Sequence, residues 1–141
     1  MLEQGVGRRT ILEQRTQVTH QQGKWRYLRP SPKHLAMLRA TPNLNVFRPA
    51  DAVETAESWE LALKYDGPSI LALSRQGLKT FRDEKGNNNL TSTGGYLVKD
   101  FGNERDLTII ATGSEVEIAL ETSDLLSKDN IKASVVSLPC W

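Results

Sequence analysis

Residues 45–76 read N-V-F-R-P-A-D-A-V-E-T-A-E-S-W-E-L-A-L-K-Y-D-G-P-S-I-L-A-L-S-R-Q, and this stretch decides the fold. Residues 45–48 predict a short strand, because Pro49 keeps the residue before it out of the helical region. Asp51 stands where a helix N-cap belongs, with Glu54 at capping-box spacing. The recurrence of apolar residues predicts one buried helix face, formed by Ala52, Ala56, Trp59 and Leu63.

A second strand follows this helix. Gly67-Pro68 ends the helix. Residues 69–74, S-I-L-A-L-S, show no polar alternation and suit a parallel strand that is covered on both faces. The result is a β-α-β unit whose two strands end at the same sheet edge, where α/β proteins bind ligands. Arg75 follows the second strand at that edge and is placed to bind a phosphate or carboxylate. The alternative is an ion pair with a neighbouring carboxylate such as Asp51.

Composition indicates which kinds of protein to consider. The chain has 141 residues, a formal charge of +1 and one cysteine. A near-neutral charge gives no general attraction to nucleic acid or to anionic membranes, and one cysteine excludes an intrachain disulfide. The first residues lack the apolar segment of a signal peptide, so we expect a cytoplasmic protein. Residues 1–33 have a net charge of +5 and no persistent period, which predicts an irregular basic arm.

Four motifs in this order carry a resemblance: residues 41–56, T-P-N-L-N-V-F-R-P-A-D-A-V-E-T-A; 66–76, D-G-P-S-I-L-A-L-S-R-Q; 94–100, G-G-Y-L-V-K-D; and 111–119, A-T-G-S-E-V-E-I-A. Together they resemble transketolase, a thiamine-diphosphate enzyme of the pentose phosphate pathway that transfers two-carbon ketol units between sugar phosphates. The resemblance runs from about His34 to the end. It implies a division into the last part of the pyrimidine-binding domain (34–76), a polar, exposed linker (77–94) and the first part of the C-terminal domain (95–141). The expected fold is α/β, with two partial parallel-sheet β-α-β units.

The resemblance also implies functional residues and partners. In transketolases the arginine of the S-R-Q motif grips the substrate phosphate, and here that residue is Arg75. The family uses thiamine diphosphate and magnesium, but this sequence lacks a G-D-G…N diphosphate motif. We therefore assign no catalytic, cofactor-binding or metal-binding residue, expect no cofactor on this chain alone, and predict an inactive chain. Expected partners are a sugar phosphate and either a second copy in a homodimer or a companion thiamine-enzyme subunit.

A second reading is a non-catalytic remnant or interaction module that associates with a complete thiamine-diphosphate enzyme subunit. Residues 1–33 depart from the family pattern G-E-D-G-P-T-H-Q-P-x-E. Only G-V-G at 5–7 and T-H-Q at 19–21 remain, out of register. A shifted reading frame upstream of His34 is one hypothesis, and no role is transferred to His20.

The last part of the chain predicts another β-α-β unit. Strands are expected at 96–100, 107–112 and 131–138, the second of them buried. A helix is expected to begin at a capping box of Ser114 and Glu117 and to run to about Lys128, with its apolar face formed by Val116, Ala119, Leu120 and Leu126. Residues 112–114 could cradle an anion, although a glycine turn and a serine are also what any such helix start needs. Cys140 has no assignable base and is not expected to be a nucleophile.

Overall fold

The computed structural model describes residues 11–14, 17–21, 24–28, 32–82 and 88–140. In chain order the elements are β1 (Ile11–Gln14), β2 (Gln17–Gln21), β3 (Lys24–Leu28), α1 (Pro32–Arg39), β4 (Asn45–Phe47), α2 (Ala52–Lys64), β5 (Ser69–Ala72), β6 (Tyr96–Lys99), β7 (Leu107–Ala111), α3 (Glu115–Lys128) and β8 (Ala133–Ser137). Short 3-10 turns occupy Leu90–Thr93 and Gly102–Glu104.

The first sheet contains the predicted β-α-β unit. Its strand order is β1-β5-β4, and both pairings are parallel, with Val46 opposite Ile70. All four residues of β5 are buried, as expected for a central parallel strand. Phe47 and Leu71 form the core of this sheet with Ala62 of α2. The predicted strand–helix–strand order is confirmed.

The N-terminal segment differs from the irregular arm that the sequence predicts. β1 extends the first sheet beside β5, and β2 pairs with β3 in an antiparallel hairpin. The sequence of this segment has no persistent alternation of apolar residues, which is why an irregular arm is predicted. Strand pairing through backbone hydrogen bonds does not need that alternation. The helix α1 begins at Pro32, so regular structure also starts before residue 34.

The second sheet has the order β6-β8-β7. β8 lies in the centre, parallel to β7 and antiparallel to β6, and α3 buries Val116, Ala119 and Ser123. The predicted end of α3 at Lys128 is confirmed. The predicted burial of β7 is wrong: Leu107 is 39% exposed and Ile110 is 66% exposed. The reason is that β7 is an edge strand in the described part of the chain.

Two predictions about helix starts and faces are also corrected. Ser114 makes no capping hydrogen bond to α3. The buried residues of α2 are Glu54, Ser58 and Ala62. The predicted face is mostly in solvent: Ala52, Ala56 and Leu63 are exposed and Trp59 is only half-buried. The apolar period fails here because the hidden side of α2 faces polar groups from the second half of the chain.

The segment 77–94, predicted to be an exposed linker, folds partly onto α2. Arg82 donates two hydrogen bonds to the Glu57 carboxylate, at 2.8 and 2.9 Å, and Thr91 is buried. Residues 83–87 lie outside the described part. Within the described ranges, no helix has the length and apolar character needed to cross a membrane.

Candidate functional site

The candidate site is a cavity at the edge where β4 and β5 end and α2 begins. Its volume is about 230 Å³. Because β4 and β5 are parallel, their carboxyl ends open on the same side, as in other ligand-binding α/β sheets. The lining residues come from the loop before α2, its first turn, and the loop after β5: Pro49, Asp51, Ala52, Thr55, Leu73, Ser74, Gln76 and Leu78.

The start of α2 is held rigidly beside this cavity. The side chain of Asp51 accepts a hydrogen bond from the Glu54 amide at 2.8 Å, which confirms the predicted N-cap. Its other oxygen accepts from the Phe81 amide at 3.3 Å. The Glu54 carboxylate reaches back to the Ala50 amide at 2.6 Å, one residue before the cap. The reciprocal bond of a capping box goes to the N-cap amide, so Glu54 here holds the residue before the cap instead.

Arg75 lies in the loop after β5, three residues beyond its last residue, Ala72. It is exposed and stands between Ser74 and Gln76, which both line the cavity. Arg75 itself is not among the lining residues. The chain therefore brings the predicted site residue to the predicted sheet edge, and its binding of phosphate stays a prediction.

Arg48, at the end of β4, is not among the site residues that the sequence predicts. Its guanidinium is 2.7 Å from the Glu115 carboxylate at the start of α3. Its side chain covers Gly113, where an added Cβ would lie 2.9 Å from the Cγ and Nε atoms of Arg48. The arginine side chain therefore lies over Gly113, in the middle of the turn at residues 112–114 that was a candidate anion-binding site. Both motifs were visible in the sequence, but no spacing indicated that they touch.

The distant contacts of two acidic side chains of α2, Glu54 and Glu57, were also missed. Glu54 is fully buried and accepts hydrogen bonds from the hydroxyls of Tyr96 and Ser137, at 2.7 and 2.6 Å. Burial and the Glu54 carboxylate raise the pKa of Tyr96 above its ordinary value of 10, so its hydroxyl remains a donor. No local period signals this, because Tyr96 and Ser137 lie 42 and 83 residues from Glu54.

Glu57 binds the linker one turn further along α2. Thr91 donates to it through both its amide and its hydroxyl, at 3.1 and 2.8 Å, in addition to the two bonds from Arg82. Burial raises the pKa of Glu57, but the hydrogen bonds from Arg82 and Thr91 outweigh it and leave that pKa below its ordinary value of 4.5. Arg82 also lies 5.1 Å from the ring centre of Tyr96, which joins the two acidic contacts into one cluster.

The other groups considered from the sequence do not join the site. Burial raises the pKa of the Cys140 thiol, which lowers its nucleophilicity at neutral pH. Cys140 lines a separate cavity of about 380 Å³ with Phe47 and Thr91. The side chain of His20 is outside the described part. Among the residues the structure describes, no three His, Cys, Asp or Glu side chains are grouped to hold a metal ion.

Comparison with known proteins agrees with the two-part architecture. Residues 16–80 match the transketolase pyrimidine-binding domain family, and residues 94–141 match the transketolase-like C-terminal domain family. This chain belongs to the transketolase family. The family comprises thiamine-diphosphate-dependent transferases. The first match begins at residue 16, inside the segment 1–33 that the sequence argument set apart from the family.

Individual transketolases resemble the chain closely over part of their length. A Sinorhizobium medicae transketolase is 57% identical over 111 residues, which is 77% of this chain and 16% of that protein. Transketolase 2 of Escherichia coli is 43% identical over 108 residues. The solved transketolase of Campylobacter jejuni superposes with a TM-score of 0.70 at 40% identity, over 77% of this chain and 17% of that one. The chain thus spans about 16% of the length of the curated transketolases it matches.

A further solved structure is described as the inactive β4 tetramer of a split-gene transketolase. It is 31% identical, with a TM-score of 0.65, over 76% of this chain and 34% of that one. The match covers 34% of this subunit but 17% of the Campylobacter jejuni enzyme. The same architecture therefore also occurs in a shorter transketolase polypeptide.

Proposed function

We propose that this chain forms the substrate-phosphate end of a transketolase, which transfers a two-carbon ketol unit between sugar phosphates, and that Arg75 binds the phosphate. The observation that supports it best is the position of Arg75. It is exposed, and it stands between two residues that line the cavity where β4, β5 and α2 meet.

The chemistry of this edge suits a phosphate group. A guanidinium can bind phosphate oxygens with two parallel, charge-assisted hydrogen bonds. The amino end of α2 borders the same cavity through Ala52, and the partial positive charge at a helix start favours an anion there. Both features are positive and attract an anionic group.

The described residues do not fit the cofactor of the family. Thiamine diphosphate, when bound, supplies the electron sink for the ketol carbanion. It is held through a metal ion, and the described part of the chain has no grouped metal ligands while the sequence has no G-D-G…N motif. These 141 residues therefore supply substrate-binding groups, and the cofactor-binding groups come from residues outside this sequence. The inactive split-gene relative supports the same division, with a companion thiamine-enzyme subunit or a second copy as partner.

A chimeric enzyme tests the role of Arg75. In it, the matched residues of this chain replace their counterparts in the 57% identical Sinorhizobium medicae transketolase. We expect Arg75→Ala to raise the KM for xylulose 5-phosphate by about 10- to 100-fold, the loss of one or two charge-assisted hydrogen bonds. The KM for unphosphorylated xylulose should not change.

Lys79→Ala is the matched control, because Lys79 is an exposed cation on the same loop that pairs with Glu117 at 3.0 Å. Its KM should stay within about twofold of the parent, since exposed ion pairs are weak. Equal KM values for Arg75→Ala and the parent enzyme would refute the proposed phosphate site.

A second candidate function is that of a non-catalytic module that associates with a complete thiamine-diphosphate enzyme subunit. The inactive tetramer of the split-gene relative supports this candidate. Both functions predict no turnover by the pure chain with thiamine diphosphate, magnesium and xylulose 5-phosphate. They differ on mixing with a polypeptide that carries only the diphosphate-binding half. The first predicts that activity appears, and the second that it does not.

A further inference from the structure

Glu54 occupies an unusual position for a carboxylate. It is fully buried between α2 and the second sheet. One oxygen accepts from the Ala50 amide at 2.6 Å, and the other accepts from the hydroxyls of Tyr96 and Ser137 at 2.7 and 2.6 Å. The three donors come from separate parts of the chain, so this one side chain joins the loop before α2 to both β6 and β8.

This arrangement is costly compared with an apolar alternative. A buried carboxylate loses its hydration and needs several hydrogen bonds to offset the loss, and well-packed apolar side chains often replace buried charges without loss of stability. All three donors to Glu54 are neutral groups. Stability alone is therefore a weak explanation for a carboxylate here, and the geometry that its two oxygens impose is a stronger one.

The loop that Glu54 holds forms one wall of the candidate site. Pro49 and Asp51 line the cavity, and Ala50 between them is the residue whose amide Glu54 binds. The second half of the chain holds the same loop at Arg48 as well. The Arg48 amide donates to the Pro139 carbonyl at 2.7 Å, and the Thr112 hydroxyl donates to the Arg48 carbonyl at 3.4 Å.

We propose that Glu54 is a positioning residue through which the C-terminal domain sets the 48–51 loop in the geometry that binds substrate. The inference rests on the proposed function and deepens it, because it gives the C-terminal domain a part in substrate binding. Tyr96 and Ser137 are the contacts on the C-terminal side, and the Ala50 amide is the contact on the side of the site.

Glu57 provides the matched comparison. It lies one turn from Glu54 on the same helix and also binds the second half of the chain, through Arg82 and Thr91. Its contacts lead to the linker, and the described ones do not include the 48–51 loop. A general loss of interdomain packing would affect both glutamates equally. A loss of loop position would affect Glu54 much more than Glu57, which reaches Tyr96 only through Arg82.

The test uses the chimeric enzyme described above, with Glu54→Gln, Tyr96→Phe, the double variant and Glu57→Gln. We expect Glu54→Gln and Tyr96→Phe each to raise the KM for xylulose 5-phosphate by about tenfold, an effect typical of one member of a coupled network. The kcat should stay within about twofold, because only substrate binding is changed. The double variant should show less than the product of the two effects. Glu57→Gln, coupled to Tyr96 only through Arg82, should raise the KM by no more than about threefold.

Amide hydrogen exchange at Ala50 in the complete 141-residue chain gives an independent readout. Tyr96→Phe should speed it, and Glu57→Gln should speed it much less. Because Tyr96→Phe removes one oxygen atom, it keeps the test decisive even where Glu54→Gln fails to fold. The inference is overturned if Tyr96→Phe changes neither the KM nor the Ala50 exchange, or if Glu57→Gln has effects of the same size. Should Arg75→Ala leave the KM unaltered while Tyr96→Phe still speeds Ala50 exchange, the proposed function fails and the structural link remains.

Discussion

The guanidinium of Arg48 lies 2.7 Å from the carboxylate of Glu115, 67 residues further along the chain. This contact joins the R-P-A-D motif at the end of β4 to the T-G-S-E motif at the start of α3. The contacts of Glu54 and Glu57 likewise join the two halves of the chain through side chains. The C-terminal half is thus attached directly to the elements that form the candidate site.

Gly113 should be intolerant of any side chain. It has a φ of +60° and lies under Arg48, so Gly113→Ala adds backbone strain and displaces the arginine. We expect a loss of about 2–3 kcal/mol in the free energy of unfolding, measured by urea denaturation. Gly102 also has a φ of +60° but has nothing near the position of a Cβ, so Gly102→Ala should cost about 1 kcal/mol. Equal losses would mean that the Arg48 contact does not matter.

The two helix starts should respond differently to alanine. Asp51 caps α2 through the Glu54 amide, so Asp51→Ala should cost about 1–2 kcal/mol of stability. Ser114 makes no such hydrogen bond to α3, and Ser114→Ala should stay within about 0.5 kcal/mol of the parent. Thermal or urea unfolding of the two variants decides this. A larger loss for Ser114→Ala than for Asp51→Ala would contradict the caps as described.

Glu57 should make stability depend on pH in the acid range. Its folded pKa lies below 4.5, its ordinary value, so the unfolded chain binds the proton more readily. The stabilisation is therefore complete above the unfolded pKa and is lost as pH falls through the folded pKa. Between about pH 5 and pH 3 the free energy of unfolding of Glu57→Gln should fall less steeply than that of the parent.

Glu60→Gln is the control for this pH dependence. The pKa of Glu60 is also lowered, first of all by its hydrogen bond with Lys64, but solvent screens this exposed pair. The pH profile of Glu60→Gln should therefore follow that of the parent. Profiles of Glu57→Gln and the parent with the same slope would show that the Arg82 contact is not formed in solution.

The sequence predicted those features that depend on neighbouring residues. The Asp51 cap, the end of α2 before Gly67-Pro68 and the continuous burial of β5 follow from residues within a few positions of one another. The last residue of α2 is Lys64, three residues before Gly67. The parallel direction of β4 and β5, and with it the sheet edge at which Arg75 lies, follows from the β-α-β connection. The place of β1 beside β5 was not predicted. These features were enough to locate the cavity region.

The sequence failed where distant contacts decide the outcome. The buried face of α2 carries Glu54 and Ser58 instead of the expected apolar residues. Glu54 can be buried because Tyr96 and Ser137, far along the chain, donate hydrogen bonds to it. β7 looks like a buried strand, but its place at the sheet edge depends on the strand order. Arg48 and Glu115 each lie in a recognisable motif, and only the three-dimensional structure shows that the motifs meet.

The most direct test of the central claim is a crystal structure of the chimeric enzyme with a bound sugar phosphate. The measurement is the distance from the Arg75 guanidinium nitrogens to the nearest phosphate oxygens. The account predicts two distances of about 2.7–2.9 Å, as in paired charge-assisted hydrogen bonds. A phosphate held elsewhere, with the Arg75 side chain directed away from it, would contradict the account.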